Sequence, residues 1–219
     1  MGELIDMESA RTLVADQALW PRMRDFLWDF ALQVHPSWLE GLPPSAVSLL
    51  TSSPRAKRAV LDALGVEPCF HLFPKDDFSR LVLLDGPTLE SLVKWIGALA
   101  CADELRGVTS GKLVRALKAA LPGVYPEVFG YTAYFKGFEI EDLGFKIEEG
   151  GLGEIGVVGC RILLFLLDSL PASLVARLKL KLPKAYSDAA NPQSSIFNLK
   201  SLTRLLKLKF PEAYSLCCS

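Results

Sequence analysis

A chain of 219 residues that is 50% hydrophobic and 22% charged holds enough apolar material for one large core or two small ones, and its composition excludes a disordered chain. A formal net charge of −1 excludes global attraction to nucleic acid or to an anionic membrane, so any such contact needs a local patch. Mean hydropathy is +0.27, yet the best candidate for a membrane span, Ile155 to Leu170, is interrupted by Arg161 and Asp168, ends at Pro171 and falls short of the roughly 20 apolar residues a span needs.

The start, Met1-Gly2-Glu3-Leu4-Ile5-Asp6, lacks the basic region and apolar stretch of a secretory signal, and Asp6 stands where a myristoylation motif needs Ser or Thr. A cytoplasmic protein is expected, with its surplus apolar surface covered by internal or partner interfaces.

In chain order, Met23, Phe26, Leu27, Phe30 and Val34 form one helical stripe after Trp20-Pro21, and Pro36 ends the helix before His35. Pro43-Pro44-Ser45 opens a short helix to Leu50, and Ser53-Pro54 opens another that ends at Gly65. Phe70 to Phe73 and Leu81 to Leu84 are short apolar runs that fit a strand or a buried turn equally. The clearest helix runs from Pro87 to about Arg106, where Gly97, Ala98, Ala100 and Ala102 keep the middle thin enough for another helix to approach closely. Thr109 or Ser110 caps the next helix, which Pro122 stops.

Residues 130–156 differ in texture, with seven glycines and the acids Glu139, Glu141, Asp142, Glu148, Glu149 and Glu154. The alternation of Phe138, Ile140, Phe145 and Ile147 fits a short β-hairpin, and an acidic glycine-rich loop fits as well. Helices follow at about 157–170, 171–182 and 195–210. The fold class is therefore mainly α: a single irregular helical domain over 1–219, with an N-terminal extension over about 1–34 and a glycine-rich acidic insert over about 139–156.

Three helix ends share a pattern: Lys118 to Pro122 and Tyr125, Lys179 to Pro183 and Tyr186, Lys207 to Pro211 and Tyr214. Basic side chains meet the negative end of the helix dipole, proline blocks continuation and the tyrosine folds back on the last turn. Unequal separations argue for shared capping chemistry rather than a repeat.

Motifs that suggest chemistry fail on context. Gly151-Leu152-Gly153-Glu154-Ile155-Gly156 matches a dinucleotide fingerprint, but Phe145-Lys146-Ile147-Glu148-Glu149 before it is too charged for a central parallel strand. Gly107 to Lys112 has one residue too few for a phosphate loop, and Leu113 where Ser or Thr belongs. His71 lies near Glu67, Cys69, Asp76 and Asp77, at spacings that fit no standard zinc pattern. A small metal- or ligand-dependent enzyme around His71, Asp76 and Asp77 is the alternative reading, and a nucleic-acid binder on the C-terminal basic helices another.

From residue 177 the chain carries Arg177, Lys179, Lys181, Lys184, Lys200, Arg204, Lys207 and Lys209 against Asp188 and Glu212, a pattern that fits a solvated face or an acidic protein partner. The five cysteines are odd in number and without CxxC spacing, so no disulfide framework is expected. Cys101 and Cys160 read as core residues, and Cys217-Cys218 as a reduced, frayed tail.

Several stretches resemble the type III secretion sorting-platform adaptor family (SctK/YscK type). His35-Pro36-Ser37-Trp38-Leu39 with Leu42-Pro43 looks like its early His-x-x-x-Leu-Pro region. Leu92 to Arg106 looks like its central small-residue helix. The stretch Leu174 to Pro183 is similar to its late Arg-Leu-x-Leu-[Lys/Arg]-Leu-Pro, and the last helix into Pro211-x-x-Tyr to its closing basic helix and proline. The order spans about 35 to 216; the longer N-terminus and the glycine-rich acidic insert depart from the family.

The resemblance implies an all-helical, non-enzymatic cytoplasmic adaptor at the inner-membrane face. It would bridge the inner-membrane ring protein's forkhead-associated-like domain (SctD type) to the pod protein (SctQ type), and through the pods reach the stator and export ATPase. No catalytic residue, cofactor, metal or nucleic-acid partner is expected. The expected partner contacts are His35, Trp38 and Leu39 in the turn, and Arg204, Lys207 and Lys209 on the last basic helix.

Overall fold

The computed structural model describes residues 19–67, 69, 78–135, 153–186 and 198–218, and among these the regular structure is all helical, joined by turns, with no strand. The expected mainly α class holds. The hairpin or loop proposed for 130–156 lies outside the described residues from 136 to 152, as do Phe70 to Phe73; residues 128–135 form helical turns.

The chain divides into two compact units. The first comprises Met1–Gly86, Leu170–Pro183 and Pro211–Ser219; the second comprises Pro87–Ser169 and Lys184–Phe210.

In the first unit, α1 (Leu19–Trp28) buries Leu19, Met23 and Phe26. The stripe read as one helix to Val34 is α-helical only to Trp28 and continues as a 3-10 helix over Phe30–Gln33, which keeps Phe30 in the core. A 3-10 turn at Pro36–Trp38 precedes α2 (Pro44–Leu49) and α3 (Pro54–Ala63). Proline occupies the first helical position of both α2 and α3, where its missing N–H costs nothing. Ser53 caps α3 by accepting from the Ala56 N–H.

Gly65, at φ +68°, closes α3 as expected. Its N–H reaches the Asp62 carbonyl and Val66 N–H reaches that of Leu61, a paired closure that requires a left-handed residue. Ala31, Leu50 and Val60 form a local cluster with Leu39, Ala56, Leu61 and Leu64 around it. The run Leu81 to Leu84 belongs to a buried 3-10 helix, Phe78–Leu83, and its end.

In the second unit, α4 (Gly86–Ala100) and α5 (Ala102–Arg106) replace the single expected helix, with the break at Cys101. Then come α6 (Gly111–Ala120), α7 (Val128–Tyr131) with a 3-10 turn at Thr132–Phe135, and α8 (Glu154–Leu166). Helix α8 packs against α4 at backbone distance: a Cβ added to Gly97 would fall 1.9 Å from the Ile155 carbonyl oxygen, and one added to Gly159 would fall 1.9 Å from that of Val93. The thin middle of α4 thus serves the close approach that its sequence predicts. Gly156, the last glycine of the dinucleotide lookalike, lies under the Tyr186 ring, where a Cβ would sit 2.3 Å from the ring's ζ carbon.

Helix α9 (Ala172–Leu180) belongs to the first unit and α10 (Leu199–Lys209) to the second; α11 (Pro211–Cys218) returns to the first. All three prolines of the shared pattern come just after a helix end, at Ala120, Leu180 and Lys209. The segments beyond these prolines differ. Pro211 opens α11, Tyr186 closes a 3-10 turn that begins at Lys184, and Tyr125 stacks edge-on against Phe129 with centroids 5.6 Å apart. Tyr125 and Tyr186 thus pack in different ways. The tail is not frayed: α11 runs through Cys218, and Cys217 is buried.

Candidate functional site

Within the first unit, the His35 turn and helix α9 meet. His35 N–H donates to the Leu180 carbonyl at 2.8 Å, and the Trp38 indole N–H donates to that of Leu182 at 2.9 Å. His35 Nδ1 lies 3.2 Å from the Ser37 N–H that it accepts and 2.8 Å from the Ser37 hydroxyl, which fixes the 3-10 turn. His35, Trp38 and Leu39 are each half-buried. Leu39 packs on the Ala31–Leu50–Val60 cluster. All three expected contact residues therefore have an intramolecular job, with part of each surface left outward.

Helix α9 and the residue that caps its end carry two cations that the sequence places on a basic face and the structure places inside. Arg177 is 4% exposed and Lys181 is 1% exposed. Lys181 Nζ donates to the carbonyls of Val82 at 2.6 Å and Leu84 at 2.9 Å, the open end of the 3-10 helix Phe78–Leu83. Arg177 Nη1 donates to the Phe26 carbonyl in the last turn of α1 at 2.9 Å, and Nη2 to the Glu67 main-chain carbonyl at 3.3 Å. Buried Arg80 repeats the device, Nη1 donating to Leu216 in the last turn of α11 at 3.0 Å.

Helix C-termini leave carbonyls unpaired and carry partial negative charge, so a cation there replaces a carboxylate partner. Phe26 and Phe30 present ring faces to Arg177 at 5.0 and 4.9 Å and to Lys181 at 5.5 and 5.9 Å. Burial pulls the Lys181 ammonium down to about 7; Asp85 opposes this, while Arg177 and Arg22 add to it. The neutral amine still has two N–H groups for its two carbonyls. Burial likewise lowers Arg177, countered by Cys69. Leu174, Leu178, Leu180 and Leu182 are buried beside them, while Lys179 in the same last turn is half-buried.

In the second unit, α10 carries the other expected contact residues. Its buried side is Leu202, Leu205 and Leu206. Lys200, Arg204, Lys207 and Leu208 are exposed. Arg204 Nη1 donates to the Tyr134 carbonyl at 2.7 Å. Lys209 points inward: Nζ is 2.7 Å from Glu127 Oε2 and lies over the rings of Tyr131 at 4.3 Å and Trp95 at 4.6 Å. Burial pulls the Lys209 ammonium down, but Glu127 and the Tyr131 hydroxyl outweigh it and hold it above its ordinary value. The expected set thus splits: Arg204 and Lys207 face outward, while Lys209 is tied into an aromatic cluster. Trp95, Tyr131 and Tyr134 in that cluster escaped the sequence reading because they are distributed over α4, α7 and the turn after it.

The alternative chemistry at His71, Asp76 and Asp77 lies outside the described residues. Among the described residues, no three His, Cys, Asp or Glu side chains cluster as metal ligands, and no helix is long and apolar enough to cross a membrane. In comparisons with protein-family models, curated proteins and solved structures, nothing matches this chain.

Proposed function

We propose that this chain is a non-enzymatic adaptor of a type III secretion sorting platform, at the cytoplasmic face of the inner membrane, joining the membrane-ring protein to the pod protein and through it to the stator and export ATPase. One observation carries the reading. Two of the stretches that resemble the adaptor family, His35 to Leu39 and Leu174 to Pro183, are far apart in sequence yet form one joint through Trp38 to Leu182 and His35 to Leu180. Motifs that a family retains for structure are expected to meet in this way.

The surfaces agree with a contact role. Trp28, 61% exposed, with Leu32, Leu42 and Leu49 in the first unit, and Tyr134, Phe165, Leu199 and Leu208 in the second, give each unit outward apolar side chains. Large exposed apolar groups are the usual anchors of protein interfaces. Affinity capture of the tagged chain from its native cell tests the reading. Co-recovery of a ring protein with a forkhead-associated-like domain and of a pod protein is the expected result; recovery of neither overturns it.

A further inference from the structure

We propose that the outward stripe of α8 is the contact through which two copies of this chain pair, antiparallel and about a two-fold axis. The proposal goes beyond the adaptor reading and does not depend on it.

At 3.6 residues per turn, Val157, Arg161, Leu164, Phe165 and Asp168 fall within an arc of about 100°, on the side of α8 away from its buried Ile155, Gly159, Ile162 and Leu163. Asp168 stands in the turn just past the helix, where its N–H donates to the Phe165 carbonyl at 3.3 Å and so keeps it on the last turn. Phe165 is 41% exposed and Asp168 is exposed, while Val157, Arg161 and Leu164 are half-buried. The order Val157, Arg161, Leu164, Asp168 proceeds in steps of four, three and four, the spacing of a face that meets another helix.

Both charges of this stripe lack a partner within the chain. Among the described residues, neither Arg161 nor Asp168 takes part in an ion pair or a side-chain hydrogen bond, and Arg161 Nε is covered from solvent without an acceptor. The guanidinium is thus partly desolvated and gains nothing in return inside the chain.

The order of these groups identifies the occupant. Where two identical helices pair antiparallel about a two-fold axis, the same face meets itself. An axis between Leu164 and Phe165 sets each of these against the other in the second copy. The seven-residue step from Arg161 to Asp168 then brings each Arg161 opposite Asp168 of the other copy. Two identical ion pairs flank an apolar centre, about 5 Å to either side along the helix, and a guanidinium suits a carboxylate. An acidic helix from another protein would leave Asp168 facing like charge, and a basic one would do the same to Arg161. Glu154 also lies seven residues from Arg161, but pairing those two would centre the contact on Val157 and Val158, and Val158 is 5% exposed. A standard interface uses about 20–30 residues a side, so this narrow contact gives a weak dimer that depends on concentration.

Sedimentation velocity of the full chain from about 1 to about 300 µM should show the sedimentation coefficient rising from monomer toward dimer. D168R changes an exposed residue and puts a cation near a helix C-terminus, so it should fold normally. It sets like charges opposite each other and should weaken the dimer at least about tenfold, as should R161D. The R161D/D168R variant restores opposite charges and should regain most of the wild-type association, which a purely structural role for either residue would not give. Should R161D disturb folding, F165Q removes the apolar centre and should weaken the dimer with an unchanged circular dichroism spectrum.

A wild-type chain that stays monomeric at every concentration overturns the proposal. So does a dimer undiminished in D168R or F165Q, or a folded R161D/D168R variant that stays monomeric. A monomeric wild type whose D168R variant loses capture of the ring or pod protein would assign the stripe to that partner and likewise overturn it.

Discussion

Gly97 and Gly159 lie against each other where α4 and α8 touch: a Cβ on Gly97 would sit 3.1 Å from the Gly159 nitrogen, and one on Gly159 would sit 2.8 Å from that of Gly97. Each added Cβ would also fall 1.9 Å from a carbonyl oxygen of the facing backbone. Backbone cannot rotate aside as a side chain can, so the helices must separate.

Gly97→Ala and Gly159→Ala should each cost about 2 kcal/mol or more in denaturant unfolding, although alanine is the better helix former. Alanine tolerated at both positions without loss would rule out this contact.

Gly156→Ala tests a different neighbour, because the obstacle is the Tyr186 ring. The single variant should lose about 1–3 kcal/mol, and Tyr186→Ala should restore part of that loss by removing the ring. A double-mutant cycle with no coupling would contradict the packing. Burial pushes the Tyr186 phenol up to about 12, with Glu90 and Cys160 adding to it, so ultraviolet titration of the folded chain should find a late-ionising tyrosine.

Lys181 gives stability a pH dependence of defined sign. In the unfolded chain its amine keeps the proton up to its ordinary value of 10.5; in the folded chain it loses it at about 7. Between those values the unfolded state binds more protons, so stability rises with pH; below about 7 both states hold the proton and the burial penalty is full. The rise is worth a few kcal/mol at most, roughly, and Lys181→Met should flatten it. A Met variant whose pH curve parallels wild type would show that Lys181 is not its source.

Trp38→Phe separates docking from packing. It removes the indole N–H bond to Leu182 while keeping an aromatic ring, and should cost about 1 kcal/mol. If Trp38 also anchors a partner, capture of that partner should fall further than the loss of folded protein explains.

Thiol chemistry checks the packing of α11. Cys69, Cys101, Cys160 and Cys217 are buried and Cys218 is half-buried, and burial pushes the Cys101 thiol up to about 12. A disulfide reagent should titrate Cys218 first under native conditions and the others only in denaturant. Rapid reaction at Cys217 as well would mean that the last turn is open.

Helix-forming stretches were legible where proline, serine and glycine mark their ends: Ser53-Pro54 and Gly65 bracket α3, and the small residues of α4 announce a close neighbour. The split at Cys101 and the shift to 3-10 geometry after Trp28 were not, because an apolar stripe persists through both. Arg204 and Lys207 were readable as exposed from their spacing on α10. The same reasoning misplaced Arg177 and Lys181, since charge counts assume that cations go to water. Here carbonyl ends and phenylalanine faces substitute for it, and neither is adjacent in sequence.

That burial changes what another molecule can pair with. The formal charge of −1 counts Arg80, Arg177 and Lys181 among its positive terms, yet all three are interior. Arg80 and Arg177 keep their charge inside and still contribute to the field at a distance, while Lys181, pulled down to about 7, carries a full charge only below neutral pH. An approaching anion is therefore drawn by cations that it cannot reach to pair with.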